Sequence, residues 1–241
     1  RILFIQDFFK EYPYPVGYII NNRLIHKKIK EIIQDNIDFI IASTKRDYYL
    51  YSEVFPHKPI VYLPHIYPPP DYSGCKDKIN NDFLIINIVH RSNVDDQFLS
   101  KVKKLIKNAS MKIIFRSIGK RYNEAEFYPY FPSRSDYLRF LSEGHVGINY
   151  SALARPQSGS NVKRYDYALA CNTVFTHHLS ITGEPLPREF VFIDVYDFAT
   201  KLSYFSIDDF KKFGLENYEY VMRLHSIYGN LFLNRLQTLI G

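Results

Sequence analysis

The sequence predicts an α/β protein of two domains with parallel sheets, facing each other across a cleft. Three observations predict it. Short apolar runs alternate with amphipathic segments along most of the chain, the pattern of parallel strands joined by crossover helices. Pro68-Pro69-Pro70 interrupts the alternation once, and such a run continues neither a strand nor a helix. A second alternating series begins beyond it. The domains are therefore placed at residues 1–70 and 71–241, with the C-terminal helix packing back on the first.

Composition supports a folded globular chain. Of 241 residues, 46% are hydrophobic, enough for a sizeable core, and 23% are charged. No apolar run reaches the roughly 18 residues of a membrane-spanning helix. Arg1 opens directly into an apolar strand, so no signal peptide is expected, and a cytoplasmic protein is the default. The net charge of +6 favours an anionic partner: nucleotide phosphates, nucleic acid or an acidic membrane surface. Cys75 and Cys171 fit no metal-ligand spacing, and Cys171 reads as a buried, reduced thiol.

The first series opens with Ile2-Leu3-Phe4-Ile5, the continuous apolar run of a strand buried on both faces. Asp7 follows at its carboxyl end, where open α/β sheets place ligands. It is a candidate base in the cleft, or a loop acid capping a neighbour. Residues 18–34 read as a helix with Leu24, Ile25, Ile29, Ile32 and Ile33 inward and Arg23, Lys27 and Lys30 outward. That basic face is a solvated surface over a core, or a seat for peripheral association with an anionic membrane. A strand at 37–44, a helix at 45–55 and a strand at 59–63 follow, with His65 just beyond.

The second series begins with a strand at 83–89, its carboxyl-end loop carrying Arg91. A helix is expected at 95–107 and a strand at 111–115, followed by Arg116, Lys120 and Arg121. Residues 128–132 read as an aromatic-proline loop, 133–142 as a helix capped by Ser135, and 145–149 as a strand. A further strand is expected at 190–193. Residues 207–239 read as helix, with a break at Gly214 or Gly229.

Between these lies the stretch 156–176. Ser158-Gly159-Ser160-Asn161 is a small polar turn, 162–170 a short helix, and 173–176 a buried strand. Free N–H groups and the positive dipole end at a helix start suit phosphate. Lys163 and Arg164 add charge there, and Asp166, one turn on, offers a carboxylate to a ribose hydroxyl. The alternative is an ordinary capped helix. Arg91, Arg116 and Arg155 stand near other strand ends, and together they favour the phosphate reading.

These residues carry a resemblance. The segments DFIIASTKRDYYLYSEVFPHKPIVYLPHI, LIINIVHR and HVGINYSALARPQSGSNVKRYDYALACNTVF resemble nucleotide-sugar-dependent glycosyltransferases of the GT-B fold. Many members carry a Glu, seven intervening residues, and a second Glu opening an "EAlacG-PV" run. Asp166 stands at the second acid, with Tyr167-Ala168-Leu169-Ala170-Cys171-Asn172 in register. The resemblance implies two Rossmann-like domains and sugar transfer from a UDP- or GDP-type donor to a glycan, lipid or protein. It implies donor contacts from Arg91, Arg116, Ser158, Gly159, Ser160, Asn161, Lys163 and Asp166. Arg91 and Lys163 would stabilise the departing diphosphate and Asp7 would serve as base. No cofactor and no metal are expected, since basic groups replace the metal and no Asp-x-Asp motif occurs. The chain departs from the pattern at Ser158, where the first acid contacts the sugar, and at Asn172, which replaces Gly. A sugar-nucleotide epimerase of similar fold and a non-catalytic nucleotide or nucleic-acid binder are the rival readings. Nucleic acid is disfavoured because the arginines fall at strand ends, not in a basic stripe interleaved with aromatics.

Overall fold

The structure is a computed structural model that describes residues 2–5, 36–42, 45–63, 68–69, 71–72, 74–75, 82–89, 93–106, 111–150, 161–180 and 185–240. The expected helix at 18–34 lies outside them. The chain divides into two compact units, one of residues 1–65, 157–159 and 224–241, the other of residues 66–156 and 160–223.

The first unit holds a three-stranded parallel sheet. Its strands are β1 (Ile2–Ile5), β2 (Phe39–Ala42) and β3 (Ile60–Tyr62), in the order β1-β2-β3. Helix α1 (Lys45–Val54) joins β2 to β3. All four residues of β2 are buried, as an all-apolar central parallel strand requires.

The second unit holds a six-stranded sheet, parallel throughout, in the order β6-β5-β4-β7-β8-β9. In chain order its elements are β4 (Phe83–Val89), α2 (Asp96–Ile106), β5 (Lys112–Ile118), β6 (Glu126–Tyr128) and α3 (Arg134–Ser142). Then come β7 (Val146–Asn149), α4 (Asn161–Leu169), β8 (Thr173–His177), β9 (Glu189–Phe192) and α5 (Val195–Ser203). The α/β class and its parallel sheets are as the sequence predicts. The core gathers Leu84, Ile86 and Ile88 of β4 with Leu99 and Val102 of α2 and Phe192, Phe198 and Phe210. Sheet and helix approach closely where Gly147 of β7 faces Tyr167 of α4. A Cβ on Gly147 would lie 2.2 Å from the Tyr167 ring, so only glycine admits that ring.

Four expectations are corrected. The strand expected to stop at Phe115 runs on to Ile118, because Arg116 finds acidic partners beside the sheet. The aromatic loop begins with a three-residue edge strand, β6. Ser133, not Ser135, caps α3: its side chain accepts from the Asp136 N–H. The last helix, α6 (Ile207–Ile240), runs through both glycines. Two interior glycines cost about 1 kcal/mol each relative to alanine. Ring contacts along the helix act against that cost, including Tyr62 with Tyr228 and Phe39 with Phe232 in the first unit. Gly229 has nothing within 4 Å of an added Cβ. Gly229→Ala is therefore expected to raise stability by about 0.5–1 kcal/mol, read as a higher urea midpoint at unchanged slope. No helix among the described residues is long and apolar enough to cross a membrane.

The largest correction concerns the cysteines. Cys75 and Cys171 are paired as a disulfide, with Cα atoms 5.7 Å apart. Neighbouring contacts hold the same segment down. The Tyr72 hydroxyl donates to the Leu169 carbonyl at 3.0 Å, and Ser135 Oγ donates to Asp71 Oδ1 at 2.5 Å. The chain after the proline run is thereby fastened to α3 and to the end of α4.

Candidate functional site

Helix α4 follows β7 after ten residues, 151–160, that lie outside the described set. Ser158, Gly159, Ser160 and Arg155 fall there, and Asp7, His65 and Arg91 also lie outside it. Asn161 is the first residue of α4. Lys163 is half-buried in its first turn, and Asp166, three residues on, shares its side of the helix. Helix α4 ends in a Schellman motif. The Asn172 N–H donates to the Tyr167 carbonyl at 2.8 Å and the Cys171 N–H to the Ala168 carbonyl at 3.0 Å. Cys171 takes the left-handed position, φ 56°, that glycine usually fills. Asn172 turns inward instead: its amide donates to the Leu141 and Ala170 carbonyls and its oxygen accepts from Asn87.

Asp166 is buried, and its Oδ1 accepts from Arg134 Nη2 at 2.7 Å. Burial pushes its carboxyl up to about 6, against the opposing pull of Arg134. Burial, and then the Asp166 charge, hold Tyr137 well above the usual phenol range. Sequence reading missed Arg134. The signal was its place at the first position of a helix, where a cation opposes the dipole and calls for an anion nearby.

The other basic candidates are differently committed. Arg116 lies within β5 with its side chain 12% exposed. Its Nη1 donates to Glu143 Oε2 at 2.9 Å, Glu126 lies 3.6 Å away, and the guanidinium covers the Phe140 ring. The structure does not bring it to Asp166. Arg164 faces the opposite way from solvent: fully buried, it forks onto Glu189, with Nε to Oε1 at 2.6 Å. It ties α4 to β9, so it is no free anion ligand in the first turn. Lys120 Nζ stands over the Tyr122 ring and Arg121 over the Phe127 ring.

A cluster that sequence reading did not single out occupies the carboxyl ends of β7 and β8. Tyr150 stacks on His177 with ring centroids 4.1 Å apart. His177 Nε2 lies 3.0 Å from the Ile193 carbonyl, and burial lowers its pKa. The buried Asn149 Oδ1 beside them has no hydrogen-bond partner among the described residues. These strand carboxyl ends are where α/β folds place ligands.

No protein-family model matches the chain, and no curated protein does. Solved structures match it in fold. The glycosylation-associated protein complex Gap123 from Streptococcus agalactiae aligns at TM-score 0.59 and 12% identity, over 99% of this chain and 49% of that one. The complex of accessory secretory proteins 1, 2 and 3 from Streptococcus pneumoniae aligns at 0.57 and 14%, over 99% and 52%. A trehalose-6-phosphate structure from E. coli, bound with UDP-2-fluoro glucose, aligns at 0.58 and 11%, over 97% and 67%. The chain spans about half the length of the first two. The fold is that of GT-B glycosyltransferases, α/β with parallel sheets.

Proposed function

We propose that the chain binds a nucleoside-diphosphate sugar and transfers the sugar to a hydroxyl of a glycan, lipid or protein. One observation carries this reading. A buried carboxylate, Asp166, stands one turn into the helix that follows β7, in a fold shared with a structure holding a UDP-sugar analogue. Asp166 accepts from the ribose hydroxyls, while Lys163 and the start of α4 face the diphosphate. In the reaction the bond from the anomeric carbon to the diphosphate oxygen breaks. A bond from that carbon to the acceptor oxygen forms, and the acceptor proton passes to a base, for which Asp7 is the candidate. Arg91 and Lys163 stabilise the charge that grows on the leaving group.

Calorimetry and thermal shift with UDP, GDP, ADP and their sugars test the reading. At least one nucleoside diphosphate is expected to stabilise the protein, by about 2.7 kcal/mol at a hundredfold excess over Kd. Asp166→Ala and Lys163→Ala are each expected to weaken that ligand about tenfold, the loss of one charge-assisted hydrogen bond. Unchanged affinity in both variants would place the site elsewhere. Ser158, at the position where the resembled family has its sugar-contacting acid, favours a second reading: a module that binds the nucleotide and transfers nothing. Tight binding without release of nucleoside diphosphate from any donor, acceptors supplied, selects that reading.

A further inference from the structure

A carboxyl group accepts hydrogen bonds most strongly when ionised, and one buried on a helix needs a neighbour to keep it so. Asp166 has such a neighbour on a different element. Of the elements packed against α4, helix α3 brings Arg134 and Tyr137 to it, β7 carries no titratable group, β8 carries His177, and β9 carries Glu189, which Arg164 takes up. On α4 itself, Lys163, Arg164 and Tyr165 precede Asp166, Arg164 being turned onto Glu189, and Tyr167 follows it. Among the described residues, the Arg134 contact is the one hydrogen bond the Asp166 carboxylate makes. The Arg134 Nε is buried and has no acceptor among the described residues. A guanidinium that gives an N–H to Asp166 from a neighbouring helix is placed to hold the carboxylate in its charged form.

We propose that Arg134 is the positioning residue of the donor site, fixing Asp166 as the charged acceptor for the ribose hydroxyls of a nucleoside diphosphate. The role rests on the donor-site reading above. It is more specific than a structural ion pair. A structural pair joins α3 to α4 and leaves binding unchanged in its dependence on pH. The positioning role ties ligand affinity to the ionisation of Asp166. Without Arg134 the carboxyl takes up a proton at higher pH, because burial then acts unopposed. A protonated Asp166 has lost the charge that makes it a strong acceptor, so affinity falls as pH falls through its midpoint.

The test follows the carboxyl and the ligand separately in the full chain. Carbon-13 NMR of labelled aspartate is expected to show Asp166 titrating near 6 in the parent protein. In Arg134→Met the midpoint is expected to rise by about one pH unit or more, and in Arg134→Lys to stay near the parent value. UDP, GDP and ADP titrations between pH 5 and 9 are the second readout. The acid limb of binding is expected to move up with the midpoint in Arg134→Met, with affinity recovered at high pH, and to return in Arg134→Lys. Thermal melts confirm that each variant is folded. An unmoved midpoint, or a loss of affinity equal at every pH, overturns the role of Arg134 while leaving the donor site standing. Absence of binding by all three nucleotides in the parent protein, with the midpoint shifted as expected, overturns the donor-site reading and the ribose role together.

Discussion

Loss of the Cys75–Cys171 disulfide is expected to lower the unfolding free energy by about 4.7 kcal/mol at the chain-entropy limit. The bridge joins residues 96 apart in sequence, so it removes a large fraction of the conformations open to the unfolded chain. It does more in the native state than close a loop. The segment it anchors also gives Tyr72 to the last turn of α4 and Asp71 to Ser135 of α3. Reduction leaves those contacts in place but no longer covalently secured. The measurement is a urea titration of the intact chain with and without a dithiol reductant, read by circular dichroism. A midpoint unchanged by reduction, with thiols confirmed free, would show that the bridge adds nothing.

Cys171 makes that prediction sharper. It sits at φ 56°, a conformation that costs an L-residue about 1–2 kcal/mol and glycine almost nothing. Cys171→Gly and Cys171→Ser both break the bridge, and the glycine variant is expected to be the more stable by about 1 kcal/mol. Equal losses would mean that backbone conformation at the end of α4 is not what separates them. The pair also bears on compartment. Lasting disulfides belong to oxidising surroundings, whereas a cytoplasmic chain keeps such thiols reduced. Thiol trapping of the protein from its own cells decides between the two.

The sequence made the sheets legible and the exceptions illegible for physical reasons. Leu84 to Ile88 are apolar but for Asn87, because β4 is central and covered on both faces. Such a run announces itself. β6 is a three-residue edge strand, Glu126-Phe127-Tyr128, half exposed, and its pairing comes from β5 rather than from its own residues. Helix α5 was missed although Asp194 caps it through the N–H groups of Tyr196 and Asp197. Its start lies only two residues after β9, with just Ile193 and Asp194 between them to mark a boundary. In the site, Asp166 was legible from its register in a motif-like run. Arg134 was not, because nothing in spacing shows that residues 32 apart meet. The disulfide was illegible for the same reason, and the burial of Cys171 suggested a free thiol.

The Arg164–Glu189 pair should be the most sensitive polar contact in the second unit. Both side chains are almost wholly out of water, at 0% and 4% exposure. Glu189 accepts from Arg164 twice, from the Thr176 hydroxyl, and from the Leu186 N–H at 3.3 Å. Glu189→Gln keeps the shape and removes the charge, leaving a guanidinium buried without its counter-ion. Breaking such a pair from one side costs about 3–5 kcal/mol, since desolvation of the orphaned charge is no longer offset. Arg164→Met strands the carboxylate in the same way. The double variant Arg164→Met with Glu189→Leu leaves no charge behind, and much of the loss is expected to return. Single losses that simply add in the double variant would show that the two residues act independently. The contact also matters for the site. It pins the first turn of α4 to β9, so a loosened pair would let Lys163 and Asp166 shift together. Nucleoside-diphosphate affinity in Glu189→Gln is therefore expected to fall even at temperatures where the variant is fully folded, and calorimetry at 10 °C against the parent protein measures it.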